Sequence, residues 1–331
     1  MTTMPQRDLR TLPKAHLHLH LEGAMRPETL QELAETHHVE VPRVRGYGSF
    51  AAFAGMYLAA CEVLRRPEDL GRLVREVAED GQAAGATWIE VALYLPRHRA
   101  RLGPEEAVLE IVSAAAERAA AETGVGVGIM VTADRTVSPD DAVRQAHIAA
   151  GYVGRGVVAF GLANDEARFP PEPFAPAFAI ARAAGLISAP HAGELAGPAS
   201  VRGALAALGA QRIQHGVRAA EDPALVREMS ERGVTLDMCP TSNVLLSVVP
   251  SLAEHPLPSF LAAGVRVSLN SDDPLFFGAG LVAEYELCRT AFGLSDEVLA
   301  GIARACIEGS GAPASLKRTS LKGIDAWLSQ G

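Results

Sequence analysis

Apolar and polar positions along the chain change period repeatedly. Short β-branched and apolar runs fall at 15–21, 88–95, 125–132, 157–162, 186–191, 212–215, 235–238 and 265–269. Between them lie longer stretches whose apolar positions recur every three to four residues, at 104–122, 139–150, 174–184, 199–208, 223–232 and 257–263. The first pattern predicts eight strands and the second predicts helices. Several helical stretches stop at a glycine, namely Gly185, Gly209, Gly233 and Gly264, as helices commonly do. Strands alternating with helices imply a parallel sheet, and eight such units predict a (β/α)8 barrel. A doubly wound open sheet is the alternative, but no G-x-G-x-x-G follows the first strand. An insert at 24–86, with helical patterns at 27–37, 48–64 and 67–84, is expected over the C-terminal mouth of the barrel. The tail, 280–331, is mostly helical. With no repeat or linker, residues 1–331 read as a single domain.

The bulk properties narrow the partners. A length of 331 residues suits one large barrel. The formal charge of −9 argues against a nucleic-acid binder, which carries a basic patch. No uncharged apolar run is long enough to span a bilayer, and the polar residues 1–10 lack the apolar core of a signal peptide. Cys61, Cys239, Cys288 and Cys306 are widely spaced with no C-x-x-C pair, so they read as free thiols in a reducing compartment. A cytoplasmic location is therefore expected.

The chemistry-bearing residues gather at strand ends. The first strand carries His16, His18 and His20, then Glu22 and Gly23. Alternation along a strand would turn all three imidazoles to one face. The fourth strand runs into Asn164-Asp165-Glu166, the fifth into His191-Ala192-Gly193-Glu194, and the sixth into His215-Gly216. The seventh runs into Cys239-Pro240-Thr241-Ser242-Asn243 and the eighth into Asn270-Ser271-Asp272-Asp273-Pro274. Each has an ordinary structural reading: a core histidine, a carboxylate at a helix start, a turn residue, or a helix cap. A barrel nevertheless brings all these ends to one face, where active sites of this fold lie. His37, His38, His98, His147 and His255 read as surface or loop residues.

His18, His20, His191 and Asp272 make an N3O set that leaves a position for water, as catalytic zinc requires. Cys239 is an alternative ligand, and other divalent transition metals suit the same donors. A bound metal lowers the pKa of its water toward ~7.

In order and spacing these motifs resemble the adenosine deaminase branch of the metal-dependent amidohydrolases, which includes adenosine, adenine and 6-aminodeoxyfutalosine deaminases. The resemblance runs from Pro13-Lys14 and His18-Leu19-His20-Leu21-Glu22-Gly23 to Asn270-Ser271-Asp272-Asp273-Pro274 and covers nearly the whole chain. It implies one zinc ion on His18, His20, His191 and Asp272. It implies that Glu194 hands a proton to the purine nitrogen beside the attacked carbon. His215 would orient the water and assist its deprotonation, and Asp273 would hydrogen-bond the purine's other side. Glu22, Asn164, Gly193 and Asp273 would contact the substrate.

Several positions depart from the family pattern. His16 stands where relatives often carry an acid, and reads as structural. Glu22 replaces the Asp that adenosine-specific relatives place near the ribose, and Asn164 replaces a Gly whose amide contacts the purine. Glu22 and the run 270–273 lean toward adenine deaminases, whereas Leu195 after Glu194 does not. Phe53, Met56 and Tyr57 of the insert are candidates for shaping the sugar pocket. The expected activity is zinc-dependent deamination of a 6-aminopurine, adenosine or an adenosine-like nucleoside first. Adenine and 6-aminodeoxyfutalosine are the alternatives, followed by a non-purine amide or amine, or a non-catalytic binding relative.

Overall fold

The structure, a computed structural model, describes residues 6–41 and 50–329. Among these described residues nine strands form two all-parallel sheets, in the orders β1-β2-β3-β4-β5 and β6-β7-β8-β9. They are β1 Lys14–His20, β2 Ala86–Leu93, β3 Gly126–Asp134, β4 Val157–Ala163, β5 Ile187–Ser188, β6 His191–Ala192, β7 Arg212–His215, β8 Thr235–Met238 and β9 Arg266–Leu269. β5 and β6 are the two halves of the strand expected at 186–191. Pro190 between them has no N–H to give the ladder, so pairing lapses there. The sheets stay joined because Ala189 donates its N–H to Phe160 O (3.0 Å) and Gln214 donates to Pro190 O (3.0 Å). Beyond β9, Asp272 pairs with β1: its N–H goes to His18 O and its carbonyl accepts from His20 N, both at 3.1 Å. That bridge closes the sheet on itself, and the structure is the curled parallel sheet of a barrel.

The helices follow local chemistry. Those at Pro27–His37, Pro67–Ala83, Pro139–Ala150 and Pro223–Arg232 begin at a proline, whose missing N–H costs nothing in the first turn. Ser138 and Asp222 cap two of these starts by accepting backbone N–H bonds.

The insert occupies two places. Helix Phe50–Cys61 lies at the barrel mouth, where its Phe50, Phe53, Ala54, Tyr57 and Leu58 line a cavity. Helix Pro67–Ala83 instead packs on β2 and beside helix Glu105–Thr123, as part of the outer ring. Helix Pro27–His37 is tied to it by Thr29 Oγ1 donating to Glu76 Oε2 (2.7 Å) and by the Arg72–Glu32 ion pair (2.7 Å). Only part of the segment expected over the mouth is therefore there, and residues 48 and 49 lie outside the described residues. In the tail, helix Asp296–Gly309 packs on β1 and β9 and completes the ring.

The barrel floor is polar and buried. Arg212 pairs with Glu90 (2.6 Å) and with Asp237 (3.1 Å), all three essentially unexposed. Glu90 also accepts from Trp88 Nε1 and Gly311 N, and Asp237 from Ser268 Oγ. A buried triad of this kind stabilises little by itself, but losing one partner leaves uncompensated charge. It supports the site above it, since Asp237 O receives a hydrogen bond from His18. All four cysteines are buried and unpaired. Among the described residues no helix is long and apolar enough to cross a membrane.

Candidate active site

The strand ends converge around a cavity of about 390 Å3 lined by His20, His191, Glu194, His215, Asp272 and Asp273, with Asn164 and helix Phe50–Cys61 further out. The histidine strip of β1 is not uniform. The pairing of β1 with β2 shifts between His16 and Leu19. The N–H groups of Leu17 and His18 both point at Asn270 Oδ1, at 2.6 and 3.1 Å. In a regular strand successive groups face opposite ways, so this is a bulge held by one side chain from beyond β9. It turns His16 away from His18 and His20. His16 instead accepts from Ser271 N (3.1 Å) beside a separate cavity that Leu19 also lines. The expectation of three imidazoles on one face is corrected to two.

Hydrogen bonds set the imidazole tautomers. His18 Nδ1 donates to Asp237 O and His191 Nδ1 to Leu162 O, both at 3.1 Å. Each Nε2 therefore turns a lone pair inward, the arrangement of metal-ligating histidines. His18 Nε2 has no hydrogen-bond partner and lies 3.2 Å from Asp272 Oδ1, which is 3.3 Å from His20 Nε2. Two electron-pair donors facing each other without a proton call for a cation, so these residues fit a metal. Among the described residues, possible ligand atoms of His18, His191, His215 and Asp272 lie within 4.8 Å of one another, and His20 joins Asp272 and Asp273 in a second group. Burial, with the neighbouring histidines, holds the His191 imidazole well below its usual pKa and so neutral. Cys239 Sγ contacts the Nδ1 side of His18 (3.4 Å), away from the lone pairs, and burial pushes its thiol pKa well up. It does not compete as a ligand.

His215 carries the opposite tautomer. Leu257 N–H donates to His255 Nδ1 (3.2 Å), His255 Nε2 donates to Asn243 Oδ1 (3.2 Å), and Asn243 Nδ2 donates to His215 Nδ1 (3.1 Å). The chain starts at a backbone N–H, which can only donate, so every later direction follows. His215 Nε2 must carry the proton. It lies 3.5 Å from Glu194 Oε1 and 3.8 Å from Asp272 Oδ2. In this state it can hold an oxygen but cannot take its proton, which alters the base role expected for it. His255, expected at the surface, is 4% exposed.

The acidic groups are driven apart in pKa. Burial, then Asp272 and Glu166, pushes Glu194 well above the usual carboxylate range. Burial and Asp272 do the same to Asp273. Asp272 is held low despite burial by His18 and His20. Gly23 makes room for this set, because a Cβ there would sit 1.7 Å from Asp273 Oδ1. Asn164, His215 and Asp272 adopt positive φ (83°, 66° and 60°). Non-glycine residues rarely do so, and such strain concentrates at working sites.

Glu166 organises the turn that holds Glu194. Its carboxylate accepts four successive N–H groups, from Gly193 (2.5 Å), Glu194 (2.9 Å), Leu195 (2.7 Å) and Ala196 (3.1 Å). Gly193, at φ 71°, also gives its carbonyl to Arg218 N. Both its backbone groups are thus engaged within the protein, and it does not line the cavity, contrary to the substrate contact expected of it. Glu22 is likewise set back from the cavity and 1% exposed. His98 Nε2 donates to its Oε1 (2.6 Å) and Tyr57 OH to its Oε2 (2.7 Å). Glu22 thus reaches the cavity through Tyr57. Burial raises its pKa, but these hydrogen bonds prevail and draw it down to about 2. His98, expected at the surface, is fully buried. Phe53 and Tyr57 line the cavity, and Met56 does not. Sequence reading assigned no role to Glu166, His98, Arg97 or His255. Only the acid placed directly after a strand-end Asn-Asp gave a local hint of one.

The model of the adenosine deaminase family matches residues 13–327. A Streptomyces coelicolor protein provisionally named an adenosine/adenine deaminase is 45% identical, over 97% of this chain and 98% of its own. The crystal structure of adenine deaminase from Arthrobacter aurescens superposes with a TM-score of 0.89 at 30% identity, covering 96% of this chain and 99% of that one. A zinc-bound amidohydrolase from Burkholderia ambifaria matches with a TM-score of 0.89 at 26% identity, over 97% and 93%. With the closed parallel barrel and the His/Asp cluster at its mouth, these matches mean that the chain belongs to the adenosine deaminase family, as a hydrolase acting on C–N bonds.

Proposed function

We propose that the chain removes ammonia from the 6-amino group of a purine, with an adenosine-like nucleoside as substrate and zinc as the metal. The observation that carries this reading is the pair Glu194 and Asp273. Burial and the neighbouring Asp272 push both carboxyl groups well above the usual carboxylate range, and both line one cavity beside the His18–His20–His191–Asp272 cluster. A purine is a heteroaromatic ring with acceptor nitrogens, which two carboxylic acids can donate to. A bound divalent cation would lower the pKa of a water toward ~7 and supply the nucleophile near neutral pH.

In this proposal the chain's own groups divide the remaining work. His18 and His191 would hold the cation through their Nε2 atoms, their rings being fixed by Nδ1 hydrogen bonds to Asp237 O and Leu162 O. His215 donates its Nε2–H to the attacking oxygen and holds it in line. Glu194 transfers its proton to the ring nitrogen next to the attacked carbon, which makes that carbon electrophilic. Asp273 donates to the ring from another direction. The C–N bond then breaks as the adduct's hydroxyl becomes the 6-oxo group: its proton passes to the departing –NH2, which leaves as ammonia, and the proton given up when the water became hydroxide restores the Glu194 carboxyl. Zinc is supported by the donor set and by the zinc in the Burkholderia relative.

Free adenine is a second reading, favoured by the Arthrobacter adenine deaminase. The test is elemental analysis of the purified protein with an ammonia-release screen over adenosine, 2′-deoxyadenosine, adenine, 5′-modified adenosines, guanine and cytosine. About one divalent ion per chain and release from a 6-aminopurine are expected. Absence of metal uptake, or no release from any aminopurine, overturns the proposal.

A further inference from the structure

Resting on the deaminase reading, we propose that Arg97 forms an anion subsite at the outer end of the cavity, for a carboxylate or phosphate carried by the substituent on purine N9. Arg97 is the only Arg or Lys among the described lining residues. Its side chain is 18% exposed. The guanidinium lies 5.7 Å from the Tyr57 ring centroid and 5.6 Å from that of Tyr94, a pair of aromatic contacts that fixes a cation without using its N–H donors. Tyr57 in turn stands 6.3 Å from the His20 ring, so Arg97 is one ring removed from the metal cluster.

The nearest carboxylate, Asp134, is 4.0 Å away, beyond hydrogen-bond reach. Its oxygens are already taken by Thr136 N (2.9 Å), Thr136 Oγ1 (2.7 Å) and Asn164 Nδ2 (3.0 Å). Of the other acids nearby, Asp141 faces Tyr94 OH (3.4 Å) and Arg144, and Glu22, whose charge Arg97 also feels, accepts from His98 and Tyr57. The described residues therefore leave the Arg97 fork turned to the cavity with its donors unspent, in the planar form that matches carboxylate or phosphate oxygens. With the purine amine at the cluster, N9 lies at the far end of the bicycle. A substituent leaving N9 is the part of the ligand that meets this rim. A free base would leave the fork without a partner.

The test compares adenosine, adenosine 5′-carboxylate, adenosine 5′-monophosphate and adenine, by ammonia release and by calorimetric binding to the metal-loaded enzyme. We expect one of the two anionic nucleosides to exceed adenosine in kcat/KM and in affinity, and which one does so separates carboxylate from phosphate. Arg97→Gln should cut that anionic-to-neutral ratio by roughly 10–100-fold, the size of one charge-assisted hydrogen bond. Arg97→Lys should recover part of it, since charge returns without the fork. Equal or better use and binding of adenosine or adenine by the native enzyme overturns the subsite, as does an Arg97→Gln ratio matching the native one. Binding that discriminates by charge through Arg97, with no ammonia from any compound, would uphold the subsite and overturn the deaminase reading instead.

Discussion

Glu166→Gln perturbs the one side chain that collects four consecutive backbone N–H groups. The carboxylate splits them, with Gly193 on Oε1 and Glu194, Leu195 and Ala196 on Oε2. Glutamine has the same shape but only one acceptor. If its oxygen takes the three-fold position, its amide N–H2 confronts the Gly193 N–H, two donors with nothing between them. One bond to an ionised acceptor is lost, worth about 1.5–3 kcal/mol, and the other three weaken to neutral strength. Relief from burying a charge offsets part of this, so a net loss of about 2–4 kcal/mol is expected. Against a total stability of about 5–15 kcal/mol that is a large fraction. Because the same turn carries Glu194, kcat should fall with it. Urea unfolding gives the stability change as a shift in midpoint at constant slope, and ammonia release gives kcat. A variant within about 0.5 kcal/mol of the native protein and with unchanged kcat would refute the reasoning that Glu166 holds the turn.

Four further outcomes are expected. Glu194→Gln should keep the metal and slow turnover by roughly 10²–10⁴-fold, as expected for a lost proton donor; the native enzyme should lose kcat as alkaline pH ionises this raised carboxyl, and a native profile without an alkaline limb would remove it from the chemistry. Asn243→Leu should free His215 from its tautomer and lower kcat by roughly 10²-fold with little change in KM; a changed KM at native kcat would speak against a role in holding the water. Glu22, at about 2 folded and 4.5 as the reference, should contribute up to about 3 kcal/mol that is present above pH 4.5 and lost as pH falls toward 2; the Tm gap between the native protein and Glu22→Gln should narrow over that window, and a constant gap contradicts it. Arg212→Met should strand the Glu90 and Asp237 carboxylates and cost about 3–5 kcal/mol, read by denaturant unfolding; a neutral effect would mean that the pair is not charged in the fold.

Local patterning was enough for the alternation of strands and helices, and with it the barrel and the end at which the site lies. Periodicity and strand-end residues are properties of chain neighbours, so His18, His20, His191, Glu194, His215 and the 272–273 pair were legible from local pattern and motif order. Which way those residues face and which proton they carry follow instead from contacts between distant parts of the chain. The bulge that removes His16 from the strip depends on Asn270, 253 residues from Leu17. The tautomers of His18 and His215 depend on Asp237 and on the His255–Asn243 relay. Glu22 was read as a substrate contact from its place after the metal pair, yet Tyr57 and His98 close over it from the insert and from beyond β2. Hydrogen-bond direction and burial are set by atoms that meet only after the barrel closes, and no spacing along one chain encodes them.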